Sequence, residues 1–329
     1  MAAKRSLSGI KPTGQPHLGN YFGMIRPAIA LQEDYDAFYF VADYHALTSL
    51  HDKAKMAAHT YDITALFLAF GLDPNRATFW RQSDVSEVCE LTWILSCMTS
   101  MGLLERAHAY KASKDKGEAG SLAHGVFAYP VLMAADILIF DSDVVPVGKD
   151  QVQHVEMCRD MAQRLNHHFG DCLRLPRAVV QESVQTIIGT DGRKMSKSYD
   201  NTIPAFLPPK KLRKAAMGIT TDSKGLEDIK DPDTCNIFAL YRLFSTEAQQ
   251  EELAAKYRAG NFGYGHAKQE LYEAMEAHLG PARERYMVLR ADESGLEEVL
   301  QNGAERARAV AQPVLERVRQ AVGFTGKRA

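Results

Sequence analysis

Cysteine is scarce and unorganised in this chain of 329 residues: Cys89, Cys97, Cys158, Cys172 and Cys235 are odd in number, scattered, and form no C-x-x-C pair. Such spacing excludes a disulfide framework and a structural zinc site, and reads as the reduced thiols of a cytoplasmic protein. No uninterrupted apolar run reaches membrane-spanning length and no secretory signal is recognisable, so no membrane partner is expected. Internal repeats and low-complexity segments are absent. An excess of one charge sign is missing as well. The formal net charge is −2, which excludes a global basic attraction for nucleic acid, so an RNA partner would need a local patch. Lys111, Lys114 and Lys116 form one candidate patch; Lys210, Lys211, Arg213 and Lys214 form another. The usual fate of such runs is a solvated helix face.

What remains is the composition of a globular protein, 46% hydrophobic and 24% charged, long enough for one large or two ordinary domains and a substantial core. Up to about residue 200, strand-like and helix-like stretches alternate. Residues 5–10, 38–41, 77–81 and 143–147 read as strands. The stretches from His17 to about Gln32, Lys53 to Phe70, Ser86 to Ser100 (apolar, read as buried) and about Asp150 to Leu165 read as helices. This alternation predicts an α/β fold with a parallel sheet and helices on both faces. After Pro204 the composition shifts to Ala, Glu, Lys, Arg and Leu. Helices are expected at about 209–217, 234–244, 246–258, 264–292 and 294–321, with no strands.

Two segments carry candidate chemistry. Lys194-Met195-Ser196-Lys197-Ser198 follows the polar turn Thr190-Asp191-Gly192-Arg193. Two lysines so spaced can close over one polyphosphate, the serines add hydroxyl donors, and Arg193 adds a third cation. Taken alone, the five residues are equally well a solvated basic loop. Near the N-terminus, the strand Arg5–Ile10 runs into the turn Lys11-Pro12-Thr13-Gly14-Gln15-Pro16, and His17-Leu18-Gly19-Asn20 opens a helix. A strand, tight turn and helix N-terminus make an anion site from free backbone N–H groups. Gly19 lets a flat ring or a phosphate approach the backbone closely.

A third segment suggests a pocket. If Pro130 to Phe140 is helical with Pro130 in its first turn, then Tyr129, Met133 and Asp136 share one face over roughly 10 Å, the length of a long aromatic amino acid. Asp136 is a carboxylate within the apolar LMAADILIF, which is costly to bury without a donor. An indole N–H or a tyrosine hydroxyl would serve equally on these grounds, as would a neighbouring backbone group or a core arginine.

His17 to Asn20 resembles the HIGH signature of class I aminoacyl-tRNA synthetases, with Asn in the final place, and Lys194 to Ser198 is identical to their KMSKS loop. Ser8-Gly9-Ile10 with Pro12-Thr13-Gly14, VADYHALT from Val41, YPVLMAADILI from Tyr129 and VPVGKDQVQH from Val145 resemble the bacterial tryptophanyl branch of that family, in its order and spacing. The resemblance implies a Rossmann-like parallel-sheet nucleotide-binding domain over residues 1–203 and a C-terminal α-helical, anticodon-binding domain over 204–329.

The activity it implies is ligation of tryptophan to tRNA(Trp) through a tryptophanyl-adenylate, by a homodimer, with Mg²⁺ arriving with ATP and no dedicated protein metal site. His17, Asn20, Lys194, Ser196 and Lys197 are implied as the catalytic groups. ATP is implied to meet Lys11, Pro12, Thr13, Gly19, Asn20, Gly148, Asp150, Gln151 and the loop Lys194, Met195, Ser196, Lys197 and Ser198, with the adenine lying on Gly19 and the Met195 backbone. Tryptophan is implied to meet Gly9, His45, Tyr129, Met133, Asp136, Val147 and Gln151. In that scheme Asp136 takes the indole N–H, and Tyr129 and Gln151 take the α-amino group. Lys11 departs from the pattern, standing where many relatives carry Gln. A tyrosyl-tRNA ligase of the same fold, a non-ligating paralogue and a small nucleotidyltransferase are the alternatives. The aspartate of YPVLMAADIL argues against the first, the intact signatures against the second, and the helical half with the complete lysine loop against the third.

Overall fold

The computed structural model describes residues 3–12, 14–107, 110, 123–148, 151–180 and 187–324. Lys111, Lys114 and Lys116 therefore lie outside the described residues. Five short strands pair into one parallel sheet: β1 (Arg5–Ile10), β2 (Asp36–Val41), β3 (Thr78–Arg81), β4 (Val144–Val147) and β5 (Arg177–Val180), in the order β3-β2-β1-β4-β5. β2, with the sequence DAFYFV, is buried from Ala37 onward, as a strand covered on both faces must be. β5 was not anticipated; RAVV is too short a run to stand out.

The chain leaves β1 through the turn around Gly14 and enters one continuous helical run. It comprises α1 (Leu18–Asn20), a π-helical turn (Tyr21–Ile25), α2 (Arg26–Ala30) and a 3-10 turn (Leu31–Glu33). Pro27 accounts for the π turn. It has no N–H to return to Gly23, so the ladder widens and the Arg26 N–H donates to Tyr21 O instead. A short α3 (Asp43–Ala46) follows β2, and α4 (Lys53–Ala69), capped by Asp52, returns the chain to β3. α5 (Glu87–Met98), α6 (Met101–Leu104) and α7 (His124–Leu138) lead to β4, and α8 (Val152–Phe169) leads to β5.

Two expectations need correction here. α7 starts at His124, so Pro130 lies inside the helix rather than in its first turn; the apolar residues on both sides bury the helix despite the missing N–H. α5 is buried on one face only. Val88, Leu91, Ile94 and Leu95 enter the core, whereas Cys89, Trp93 and Cys97, spaced four apart, face outward and Trp93 is 69% exposed.

Beyond residue 203, the described residues form helices and loops: α9 (Pro209–Met217), α10 (Asn236–Tyr241), α11 (Glu247–Ala259), α12 (Tyr264–Ala291) and α13 (Glu293–Ala321). Pro209 at the first helical position opens α9 and Thr246 caps α11. Of these helices, α13 shares apolar clusters with the sheet, whereas α9, α10, α11 and the first half of α12 form a separate cluster with Leu18, Met195 and Ile203. Ala304, Ala307, Ala311, Leu315 and Val318 of α13 pack in one core with Phe38, Trp80 and Leu138. Arg306, Arg308 and Arg317 of α13 donate to backbone carbonyls of Ala77, Asp84 and Cys172. In α12, Arg285 donates to Ala69 O, and His278 bonds the Tyr21 hydroxyl at 2.8 Å.

The approach of α13 to β3 is close enough that a Cβ on Gly303 would fall within the van der Waals envelope of the Phe79 carbonyl. Gly303→Ala is expected to destabilise the protein by about 1–3 kcal/mol, because backbone rather than a side-chain tip must move. A denaturant midpoint equal to the parent's would show that α13 can slide without cost.

Candidate active site

The strand order reverses between β1 and β4, and ligands of open parallel sheets bind at such a switch point, beyond the carboxyl ends of the strands. Both predicted turns lie there: Lys11 and Pro12 follow Ile10, and Gly148 follows Val147. β1 and β4 pair at Ser6 and Val144, near their starting ends. Thr13 and Asp150, both expected at ATP, lie outside the described residues.

His17 and Asn20 cap each other at the start of α1. The Asn20 N–H donates to His17 Nδ1 at 3.3 Å and the His17 N–H donates to Asn20 Oδ1 at 3.1 Å. These bonds assign the atoms: in the neutral ring the proton sits on Nε2, and the amide nitrogen Nδ2 is the second donor outside the box. His17 is 8% exposed, and its pKa is lowered by burial and by the charge of Lys197, so it is a neutral donor near pH 7. The turn is held to the segment after the lysine loop, since Leu18 N donates to Ile203 O and Ala205 N to Pro16 O.

The lysine loop is folded around one buried amide, Asn201. Its Oδ1 accepts from Ser196 N at 2.8 Å, and its Nδ2 donates to Asp191 Oδ1 at 2.7 Å and to Lys194 O at 3.1 Å. The Ser196 and Ser198 hydroxyls are 2.7 Å apart, and Ser196 caps the 3-10 turn Lys197–Tyr199. Lys194 is exposed. Lys197 reaches the N-terminal turn: its Nζ lies 3.2 Å from where a Cβ on Gly14 would stand, and partial desolvation lowers its pKa. Arg193, expected as a third cation beside Lys194, is engaged by its own neighbours in this conformation. Its guanidinium pairs with Asp191 at 2.6 Å and lies over the Tyr199 ring. Met195 is 4% exposed and its Sδ accepts the Gly19 N–H at 3.2 Å, so the approach expected for a flat ring is taken by Met195 in this conformation.

Across the crevice, Asp136 is 2% exposed on α7. Its carboxylate accepts from His45 Nε2 on α3 at 2.8 Å, and from Gln82 Nε2 at 2.8 and 2.9 Å. Burial raises the pKa of Asp136, and these two donors oppose that shift. Tyr129 stands beside it, its hydroxyl 2.6 Å from His154 Nε2 and its ring edge-on to His45. Lys11 Nζ lies 5.7 Å from the Tyr129 ring centroid, and desolvation lowers its pKa. Gly9 is exposed at the end of β1 with the Phe40 ring packed over it, and Phe40 stacks on Trp80. Met133 and Val147 are half-buried against the sheet core, and Gly148 O accepts the Gln151 N–H at the start of α8. Among the described residues, no three His, Cys, Asp or Glu side chains are grouped to hold a metal ion.

Residues 2–280 match the family described as tRNA synthetases class I (W and Y). The chain belongs to this family. It is 50% identical to a tryptophan–tRNA ligase of Rhodopirellula baltica over 97% of this chain and 99% of the relative. Among solved structures, tryptophanyl-tRNA synthetase from Campylobacter jejuni complexed with ADP and tryptophane is 49% identical, covers 97% of this chain and 99% of its own, and superposes with a TM-score of 0.92. The Mycoplasma pneumoniae tryptophanyl-tRNA synthetase is 31% identical over 98% of both chains, with a TM-score of 0.81.

The two signature segments meet, through Lys197 at Gly14 and Met195 at Gly19. Two residues of this site were not singled out from sequence. Asn201 is the third residue after KMSKS and Gln82 directly follows β3, but an amide carries no signal until its partners are known. The contact of Gly19 gives a test. A Cβ there would stand 2.9 Å from the His17 ring and 3.4 Å from Met195 Cβ. Gly19→Ala is expected to displace His17 and slow adenylate formation by about 10- to 100-fold, with tryptophan affinity retained. An unchanged ATP–pyrophosphate exchange rate would show that this approach is not used.

Proposed function

We propose that this chain is a tryptophan–tRNA ligase. In the first step a tryptophan carboxylate oxygen attacks the α-phosphorus of ATP in line, the bond to the bridging oxygen breaks, and pyrophosphate leaves with the electron pair. In the second step the terminal ribose hydroxyl of tRNA(Trp) takes the tryptophanyl group and AMP leaves. The observation that carries the reading is the near-half identity, over almost the full length of both chains, to tryptophan–tRNA ligases. The geometry supports it with an N-terminal turn faced by the partly desolvated Lys197, and with the buried acceptor Asp136.

The substrate supplies the nucleophile; the protein supplies position and charge. His17 Nε2–H and Asn20 Nδ2 would donate to the phosphates, and Lys194 and Lys197 would stabilise the leaving pyrophosphate. Mg²⁺ enters with ATP, held by phosphate oxygens and water. Asp136 would accept the indole N–H, and Tyr129 and Gln151 would orient the amino group. The exposed basic face of α9 (Lys210, Lys211, Arg213, Lys214) is the described surface best suited to tRNA phosphates. Charging of a tRNA(Trp) transcript with labelled tryptophan tests the whole reading. Product is expected with tryptophan, and charging with another amino acid would overturn it.

The assembly is a homodimer in this reading, formed on the outward faces of α5 and α6, where Trp93 and Met101 are 69% and 63% exposed. Sedimentation is expected to give twice the chain mass, and Trp93→Glu is expected to give the monomer. A parent chain that sediments as a monomer would remove the dimer.

A further inference from the structure

Gln82 is 1% exposed and its amide is bonded at both ends. Oε1 accepts from the backbone N–H of Tyr44 at 3.1 Å, and Nε2 donates to Asp136 Oδ1 at 2.8 Å and Oδ2 at 2.9 Å. A peptide N–H can only donate, so the first bond fixes which end of the amide is oxygen and turns the NH₂ toward Asp136. Tyr44 is itself anchored. Asp43 Oδ1 accepts from the N–H groups of Tyr44 and Ser83 at 3.1 and 3.0 Å, which ties α3 to the turn carrying Gln82. His45, on the same short helix, donates to Oδ2 at 2.8 Å. Oδ2 thus receives two donors and Oδ1 one. A carboxylate oxygen has two lone-pair sites, so one acceptor site remains on Oδ1.

We propose that Gln82 is the positioning residue for amino-acid selection: it holds the Asp136 carboxylate so that Oδ1 offers its remaining acceptor site to the ring N–H of the substrate. The inference rests on the reading of Asp136 as the indole acceptor. Gln82 does not touch the substrate. It acts through Asp136, and its own orientation is set by Tyr44. Its effect is therefore on recognition of the N–H and not on the chemical step.

The test is steady-state ATP–pyrophosphate exchange by the full chain carrying Gln82→Met or Gln82→Glu. Tryptophan is compared with the analogue whose indole N–H is replaced by sulfur. Met fills a similar length without a donor. Glu keeps the shape and the bond to Tyr44 but sets a carboxylate against Asp136, so it carries the test if the Met variant does not fold. In both, KM for tryptophan is expected to rise about 10- to 100-fold, the order of one charged hydrogen bond, while kcat and KM for ATP hold. Discrimination against the sulfur analogue should fall by the same factor. Equal losses for tryptophan and the analogue, or a fall in kcat with KM unchanged, would reduce Gln82 to a packing residue. Asp136→Asn run in parallel separates the two ideas. Parent-like tryptophan kinetics there would remove the acceptor reading and this inference with it. Lost selectivity there, with selectivity kept in both Gln82 variants, would remove this inference alone.

Discussion

Asp136→Asn lowers kcat/KM for tryptophan by about 10- to 1,000-fold, with ATP affinity nearly unchanged. The size of the loss follows from the arrangement around the carboxylate. Gln82 Nε2 and His45 Nε2 already donate to it, and the indole N–H would be a third donor. An asparagine offers one acceptor oxygen where three donors converge, and its NH₂ must face one of them. Each charged hydrogen bond lost is worth about 1.5–3 kcal/mol, and an unpaired buried donor adds to that. Selectivity against analogues without the N–H should weaken in the same variant. The N-terminal turn proposed to meet the phosphates lies on other elements, which is why ATP should be little affected. A folded Asp136→Asn protein with parent-like tryptophan kinetics would make Asp136 a core residue and reopen the identity of the amino acid.

Lys197→Ala slows adenylate formation by about 100-fold or more while leaving tryptophan affinity close to that of the parent, as expected for a preorganised donor aimed at developing charge. Lys197 is held at the N-terminal turn, near Gly14, and partial desolvation strengthens its attraction for an anion. A second readout is independent of catalysis. The Lys197 charge is one cause of the lowered His17 pKa, after burial, so its removal should move the His17 titration upward. An unchanged exchange rate in Lys197→Ala would take the loop out of the mechanism, and an unmoved His17 titration would separate the two signature segments in solution.

The parts legible in the sequence are those whose signal is local. Strands β2 to β4 announce themselves through β-branched and aromatic runs, and β1 through the Pro- and Gly-containing turn that ends it. The helices after Pro204 do so through composition and through Pro209 and Thr246 at their starts. The π turn of the first helical run was not read from sequence, although Pro27 lies ten residues past His17 and removes an interior N–H. The exposed face of α5 was read as buried because Cys89, Trp93 and Cys97 are apolar and the chain carries no mark of which apolar face meets its own core.

The same divide runs through the site. His17, Asn20 and Lys197 were singled out as members of two segments that resemble the class I signatures, and Asp136 as a carboxylate within an apolar run. Asn201 and Gln82 were not, since each acquires its role from partners supplied by the fold: Asp191, Lys194 and Ser196 for one, Tyr44 and Asp136 for the other. Arg193 was misread for the converse reason. A cation next to two lysines suggests a phosphate cluster, but here Asp191 two residues upstream pairs with it and its guanidinium lies over the Tyr199 ring.

ATP–pyrophosphate exchange with each of the twenty amino acids, supplied one at a time to the purified full chain, tests the central claim most directly. Exchange dependent on tryptophan, and at least about 100-fold slower with tyrosine or any other amino acid, is the result expected of a pocket whose selectivity rests on one buried acceptor. Comparable exchange with tyrosine, or none with any amino acid, would contradict the assignment.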